Sequence, residues 1–308
     1  MGGKTQKSQK EKHLKRELTK GILLENIDLK PFTSWHIGGP AERFYWPLDL
    51  QDLAKFLKTL SEAEPITWLG LGSNTLISDQ GVAGTVIITQ GALKGLQLLA
   101  NDIVMAEAGV SCAQVARFAA RNNLVKGEFL AGIPGTVGGA LYMNAGAFGG
   151  ETWERVAYVD TLNRRGDITR RPKEQFRYGY RYIEGLEQEE WFCTGYFKFE
   201  PGDGAKGLTE IKNLLTRRSE TQPTGEPSCG SVFRNPPGNF AAKLIETAGL
   251  KGFQIGGAQV SPKHANFIIN LGNANSRDIL QLVKHIQATI KAQFGIELIP
   301  EMKFIGRK

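Results

Sequence analysis

The sequence predicts an α+β protein of two or three domains, and three observations carry that reading. Strand-like and helix-like segments intermix along all 308 residues, with a strand-rich middle and long helical patterns in the last third. Composition breaks at Glu200-Pro-Gly-Asp-Gly204, where a domain boundary is expected. Residues 132–150, Gly-Ile-Pro-Gly-Thr-Val-Gly-Gly-Ala-Leu-Tyr-Met-Asn-Ala-Gly-Ala-Phe-Gly-Gly, crowd seven glycines into one stretch. Glycine loses the most backbone entropy on folding, so such a stretch stays ordered only where φ is positive or something approaches the main chain closely. Its N–H groups suit a phosphate or diphosphate. A linker would be polar, whereas this stretch holds Ile133, Val137, Leu141, Tyr142, Met143 and Phe148. The spacing G-x-x-G-x-x-G-G matches neither G-x-G-x-x-G nor G-x-x-x-x-G-K-[ST]. Phosphate contact is therefore expected without either familiar nucleotide fold.

The elements follow in order. Leu29–Gly39 ends in a glycine pair, and a short strand over Arg43–Trp46 stops at Pro47. Asp49 is the N-cap of a helix with Leu50, Leu53, Phe56, Leu57 and Leu60 on its apolar side. Ile66–Leu71 reads as a strand running into Gly70-Leu-Gly-Ser-Asn-Thr-Leu76, a second candidate phosphate loop. Gly70 and Gly72 permit close approach there, while Ser73 and Asn74 supply donors. A dinucleotide has two phosphates and two ends, so the recurrence of such a loop beside 132–150 gives it weight. Thr85–Thr89 is a β-branched strand. Ile103–Ala108 is a strand ahead of Ser111, which caps a helix with Val115, Phe118 and Ala119 inward.

Val156–Leu162 and Trp191–Phe199 add strands, with a turn at Arg165-Gly-Asp167. Between them, Phe176-Arg-Tyr-Gly-Tyr-Arg-Tyr182 has two readings: an aromatic hairpin with solvated arginines, or an arginine held by aromatic neighbours to grip a carboxylate. A helix over about Thr209–Thr221 turns Ile211, Leu214 and Leu215 inward, carries Arg217 and Arg218 near its end, and stops at Pro223. Asn239 caps a helix that carries Leu244 and Ile245 and closes at Gly249. Val260–Asn270 leads into a strand. From Ser276 to Phe294, Ile279, Leu282, Val283, Ile286 and Ile290 fall at helical spacing before Gly295, which is core packing and leaves His285 at the surface.

Charge and cysteine usage exclude several classes. Residues 1–20 hold Lys4, Lys7, Lys10, Lys12, Lys15, Arg16 and Lys20 against Glu11 and Glu17, a charge of +5, which leaves +2 of the chain's +7 for the rest. The basic character is thus that of a disordered tail, which speaks against a nucleic-acid-binding face. Cys112, Cys193 and Cys229 form no C-x-x-C pair, and His13, His36, His264 and His285 have no H-E-x-x-H spacing, so neither a disulfide framework nor a metal site is expected. No apolar run approaches a membrane span and the start has no apolar signal core, so a soluble, cytoplasmic protein without membrane insertion is expected.

Taken together, the motifs resemble one family, the flavin-dependent UDP-N-acetylenolpyruvoylglucosamine reductases (MurB) of peptidoglycan synthesis. The matching blocks are Thr33-Ser-Trp-His-Ile-Gly-Gly, Gly70-Leu-Gly-Ser-Asn-Thr-Leu, Gly132-Ile-Pro-Gly-Thr-Val-Gly-Gly-Ala, Tyr142-Met-Asn-Ala-Gly-Ala, Tyr178-Gly-Tyr-Arg, Cys229-Gly-Ser-Val-Phe-Arg-Asn-Pro and Ile299-Pro-Glu-Met-Lys-Phe-Ile-Gly. They run in family order from about residue 20 to the C-terminus. The short connection after Tyr182 and the Pro-Ser-Cys-Gly-Ser form look like the second, shorter type. One departure is His36, which stands where the family carries Arg or Lys.

The resemblance implies a flavin-binding fold of the vanillyl-alcohol-oxidase/PCMH type, made of two lobes, with a C-terminal α+β substrate-binding domain. It implies a basic tail over 1–20, a first lobe over 21–90 joined by 299–308, a second over 91–202 and a substrate domain over 203–298. It implies non-covalent FAD, NADPH as reductant, a UDP-sugar enolpyruvyl ether as substrate, UDP-N-acetylmuramate as product, and a monomer. Arg181 matches the family's stabilising arginine, Glu301 its catalytic glutamate and Ser231 its proton donor, with Cys229 as the rival acid. Cofactor contacts fall on Gly70, Leu71, Gly72, Ser73, Asn74, Thr75 and Leu76, on Gly132, Ile133, Pro134, Gly135, Thr136, Gly138, Gly139 and Ala140, and on Asn144. Substrate contacts fall on Tyr178, Tyr180, Asn235 and His264, with Arg217, Arg218 and Arg234 as diphosphate or carboxylate partners. For His264 the competing reading is a satisfied core histidine. The competing enzyme is another flavoprotein oxidase or dehydrogenase of the same fold, against which stand the separate C-terminal domain and the lack of a covalent flavin anchor.

Overall fold

A computed structural model of the chain describes residues 20–100 and 102–307, so the tail expected over 1–20 lies outside it apart from Lys20. The first lobe is built on β1 (Ile22–Asp28), β2 (Pro40–Trp46), α1 (Leu50–Leu57), β3 (Ile66–Leu69), β4 (Thr75–Ile77) and β5 (Val82–Ile88). Its sheet runs β1-β2-β5-β3, with β5 parallel to both neighbours. That central place suits a strand whose residues Val82 and Val86–Ile88 are all buried, because a parallel strand is covered on both faces. Asp49 caps α1 through the Asp52 N–H at 2.8 Å, so the crossover helix begins where its sequence calls for it.

The second lobe holds β6 (Leu96–Ala100), β7 (Ile103–Glu107), α2 (Cys112–Arg121), β8 (Leu124–Val125), α3 (Val137–Met143), β9 (Gly146–Ala147), β10 (Gly150–Glu151), α4 (Thr152–Arg155), β11 (Val156–Asn163), β12 (Ile168–Pro172), β13 (Arg177–Gly179), β14 (Tyr182–Glu184), β15 (Glu190–Lys198), β16 (Glu200–Pro201) and α5 (Gly204–Thr221). Its main sheet is antiparallel in the order β12-β11-β15-β7-β6. Ser111 and Gln114 form a reciprocal capping box on α2. The largest core in the molecule lies between this sheet and the helices, and it includes Val115, Ala119, Leu141, Trp153, Phe197 and Ile211.

Two expectations need correction here. Helix α5 starts at Gly204, five residues ahead of the predicted Thr209, because the Asp203 side chain accepts from the N–H groups of Ala205 and Lys206 at 3.1 Å. The boundary expected at 202/203 is not where the packing changes. A Cβ on Gly204 would sit 2.0 Å from the Ala120 carbonyl oxygen, so only glycine lets α5 lie against the end of α2. Through Ile211 and Leu215 the helix belongs to the core of the second lobe, and the next core begins near Cys229.

That third unit comprises α6 (Ala241–Thr247), β17 (Gln254–Ile255), β18 (Ala258–Val260), β19 (Ile268–Asn270) and α7 (Ser276–Phe294). Asn239 does not cap α6, whose N-cap is Phe240; the N–H of its first residue, Ala241, donates instead to Asn235 Oδ1 at 3.1 Å. Helix α7 keeps its predicted bounds, with an Asn275–Asp278 capping box and Gly295 at φ +68°. The unit is seated on the first lobe. Trp35, fully buried, donates from Nε1 to the Ile268 carbonyl at 2.7 Å, and Asn270 returns a bond to the Trp35 carbonyl at 2.8 Å. The chain then comes home as β20 (Lys303–Ile305), which pairs in parallel with β4.

Candidate active site

A cavity of about 650 Å³ opens where the two lobes and the third unit meet. One wall is the pair of glycine loops. A Cβ on Gly70 would lie 2.4 Å from Thr136 Oγ1, and one on Gly135 would lie 3.5 Å from Ser73 Oγ, so the loops touch along their length. Gly72 has φ +65°, and a Cβ there would collide with the Phe32 carbonyl oxygen at 2.3 Å. Among the described residues, the main-chain N–H groups of Leu71, Gly72, Ser73 and Asn74 have no acceptor within the protein. Thr136 Oγ1 is buried without a partner. Unmet donors of this kind call for an anionic or carbonyl-rich ligand. The 132–139 loop is spent differently: the N–H groups of Val137 and Gly138 donate to the carbonyls of Val110 and Ala108, so the 70–74 loop carries most of the free donors.

Of the predicted cofactor residues, Gly70–Thr75, Gly132–Thr136 and Gly138–Ala140 line the cavity. Leu76 does not; it is fully buried in the core of the third unit. Asn144 does not either. It is the left-handed C-cap of α3, and its side-chain amide donates to Glu151 Oε2 at 2.8 Å and to the Gly179 carbonyl at 3.0 Å, so it braces the β13–β14 hairpin.

Arg181, Ser231 and Glu301, drawn from three distant segments, also line the cavity. Arg181 occupies the two-residue turn Tyr180–Arg181 of that hairpin at φ +62°, a conformation unfavourable for a long side chain and held by the surrounding pairing. Its Nε lies 2.6 Å from Glu301 Oε1, as an ion pair without hydrogen-bond alignment. Glu301 is buried, and burial raises the pKa of its carboxyl against the opposing pull of Arg181 and Arg234. Its backbone is pinned: Glu301 N–H donates to Val232 O at 2.7 Å, and Asn74 Nδ2 donates to Glu301 O at 3.1 Å. Ser231 follows Gly230, which has φ +81°. The segment after it is fixed by Asn266, whose carbonyl and side chain accept from the N–H groups of Val232 and Phe233 at 2.8 and 3.0 Å. Cys229 also lines the cavity, but burial and then the nearby Glu301 hold its thiol well above the usual range, so it stays protonated.

The predicted substrate contacts divide. Arg218 lines the cavity, donating to Gly132 O at 2.9 Å and Gln222 Oε1 at 3.0 Å; burial lowers its pKa. Arg234 is close enough to act on Glu301, and its Nε is buried without a partner. Tyr180 is exposed beside Arg181, whose guanidinium carbon is 5.6 Å from the ring centre. Of the predicted substrate contacts only Arg218 lines the cavity; Arg234, Tyr180 and the rest lie off its wall. Arg217 is exposed, Tyr178 stacks on Trp153 at 5.8 Å, and Asn235 accepts from the Ala241 N–H at the start of α6. His264, half-buried, packs edge-on against Phe267 at 4.8 Å and accepts from the Asn266 N–H at 3.3 Å, and burial lowers its pKa. His36 is exposed at φ +57° and off the cavity wall.

Two groups escaped the sequence reading. Asn266 had only a polar residue in an otherwise apolar run as its signal. Trp68 and Trp191 stack at 5.1 Å on the cavity wall, and nothing in the sequence pairs two residues so far apart. Among the described residues no cluster of His, Cys, Asp or Glu could hold a metal ion.

Comparison with known proteins agrees with this layout. Residues 222–305 match the family model "UDP-N-acetylenolpyruvoylglucosamine reductase, C-terminal domain", and residues 41–171 match "FAD binding domain". The UDP-N-acetylenolpyruvoylglucosamine reductase of Legionella pneumophila (strain Paris) is 55% identical over 289 residues, covering 94% of this chain and 95% of the relative. That of Methylococcus capsulatus is 54% identical over 288 residues, covering 94% of each. Among solved structures, the UDP-N-acetylenolpyruvylglucosamine reductase (MurB) of Thermus caldophilus superposes with a TM-score of 0.78 at 30% identity, over 92% of this chain and 98% of that one.

Proposed function

The chain belongs to the UDP-N-acetylenolpyruvoylglucosamine reductase family, and from that premise we propose that Arg181, Ser231 and Glu301 carry its chemistry. The protein is a flavin-dependent oxidoreductase that reduces the enolpyruvyl ether of UDP-N-acetylglucosamine to UDP-N-acetylmuramate in peptidoglycan precursor synthesis. FAD held in this cavity would supply the hydride-transfer chemistry that links NADPH to the enolpyruvyl double bond. The free N–H groups of Leu71–Asn74 and the unpartnered Thr136 hydroxyl fit the diphosphate of such a cofactor, held without a covalent bond.

Hydride addition at the terminal carbon leaves negative charge on the carbon beside the carboxylate. Arg181 stabilises that charge as it delocalises onto the carboxylate oxygens. Ser231 Oγ–H delivers the proton that completes the addition. A serine is a weak acid, but the developing carbanion is a strong base, and the neighbouring loop is fixed by Asn266. Glu301, whose carboxyl pKa is raised by burial against the pull of Arg181 and Arg234, holds Arg181 in place through their ion pair. Arg218, desolvated and without a carboxylate partner among the described residues, binds a phosphate group, and Tyr180 forms the rim on the substrate side.

The single observation that carries this assignment is the Arg181–Glu301 ion pair on the same cavity wall as Ser231. It is tested by the visible spectrum. The purified protein should be yellow, should bleach with NADPH, and should recover its colour when the enolpyruvyl substrate is added. Acid precipitation should release the flavin. Bleaching without recovery would remove the substrate assignment. We further propose a monomer in the cytoplasm, as the family resemblance implies; no described helix is long and apolar enough to cross a membrane. Size-exclusion chromatography with light scattering checks the first point.

A further inference from the structure

The contacts of the glycine loops order the cavity from end to end. Trp68 stands two residues before Gly70, whose missing Cβ faces Thr136 Oγ1; Ser73 then faces Gly135; Asn74 follows and bonds the backbone of Glu301. The catalytic side chains are therefore at one end, the free N–H groups lie in the middle, and the Trp68–Trp191 stack is at the other end. The charged wall residues Arg181, Glu301 and Lys303 gather at or next to the catalytic end, and Arg218 is tied to Gly132 in the middle. Upstream of Gly70 the wall has Ile66, Thr67, Trp68, Thr89, Trp191 and Phe192, with no charge among them. The two indoles lie 5.1 Å apart and 12° from parallel, and Trp68 Nε1 is buried with no acceptor among the described residues.

An uncharged aromatic end, beyond a diphosphate cradle, suits a neutral, flat group with ring-nitrogen acceptors. Indole faces stack well on purines, and an indole N–H left unmet inside a protein costs free energy that such an acceptor recovers. We propose that Trp68 and Trp191 form the wall of the adenine subsite, with the purine lying against the pair and Trp68 Nε1 donating to one of its ring nitrogens. The cofactor's adenosine half is then held by side chains, while its diphosphate is held by main chain. This rests on the flavin reading above, and the test separates the two.

The full-length protein is freed of flavin and titrated with FAD, with FMN, which lacks the adenosine half, and with ADP. Trp68→Phe keeps a stacking ring but removes the N–H; Trp191→Leu removes one ring of the pair. Both variants should bind FAD about tenfold more weakly, while FMN affinity stays at the parent value. In the parent protein, ADP should quench part of the tryptophan emission and compete with FAD, and the quench should shrink in Trp68→Phe. Equal losses for FAD and FMN, unchanged FAD affinity, or no ADP quench would overturn the proposal. Should a variant fail to fold, the ADP titration of the parent protein decides alone. Failure of the parent to bind either flavin would instead overturn the flavin reading.

Discussion

The glycine loops and the catalytic edge line one cavity, adjoin at the Asn74–Glu301 bond, and are made of different material. The 70–74 loop offers main-chain N–H groups, set by a positive φ at Gly72 and by the close approach of Gly70 to Thr136. The edge offers side chains from residues 181, 231 and 301, brought together by a hairpin turn, a braced loop and a C-terminal strand that returns to β4. A backbone cradle binds whatever places oxygens before it, whichever state the chemistry has reached. The edge answers to charge that appears only during the reaction. Damage to the cradle should therefore appear as lost cofactor affinity, and damage to the edge as lost turnover with affinity kept.

The sharpest break in that division comes from Arg181→Met. Reoxidation of the reduced enzyme by substrate should slow by about 10²–10³-fold, the range for removing one donor to a developing oxyanion, while FAD affinity stays unchanged. Stopped-flow absorbance and a flavin titration read the two. Lost FAD affinity in this variant would blur the two regions into one.

Gly72→Ala acts on the other side. The new Cβ meets the Phe32 carbonyl oxygen at 2.3 Å at a φ of +65°, so the loop must move. FAD affinity should fall roughly 10- to 100-fold, as expected from strain of about 1–3 kcal/mol. With saturating FAD the turnover number should return. A variant with parent-like affinity would show that the loop is not the cradle.

A smaller effect is expected from Glu301→Gln. Burial raises the carboxyl pKa of Glu301 in the folded protein, so the stability linked to its neutral form is fully present below the unfolded pKa and is lost as pH rises through the folded pKa. Replacing it with an amide should therefore raise the melting temperature at pH 8 relative to the parent, and the gain should vanish toward pH 4, while turnover falls at both. A lower melting temperature at pH 8 would mean that the pairing with Arg181 outweighs desolvation. The smallest effect should come from deleting residues 1–19: their polar, basic composition points to no part in either region, and turnover and flavin content should match the parent.

The same contrast explains how much could be read from the sequence. Glycine spacing is a local signal, and it located the 70–76 and 132–140 loops, though not the burial of Leu76 or the bracing role of Asn144. Caps are local too, so Asp49, Ser111 and the bounds of α7 were legible. The start of α5 was obscured because Gly204, poor for a helix interior, is kept for its contact with Ala120 across the fold. The edge residues were named only through family resemblance, because no spacing rule places 181, 231 and 301 together. Asn266 and the Trp68–Trp191 stack carry no sequence signal for the same reason: each acts on residues far away in the chain.

The central claim is that the edge serves the second half-reaction alone, with Ser231 as its acid. It is tested most directly by stopped-flow absorbance of Ser231→Ala at the flavin band, with Cys229→Ala as control. Bleaching by NADPH should proceed near the parent rate in both. Reoxidation by the enolpyruvyl substrate should slow by about 10²–10⁴-fold in Ser231→Ala, recover in part in Ser231→Cys, and stay near normal in Cys229→Ala, whose thiol is buried. Slow reoxidation in Cys229→Ala with normal reoxidation in Ser231→Ala would contradict the account.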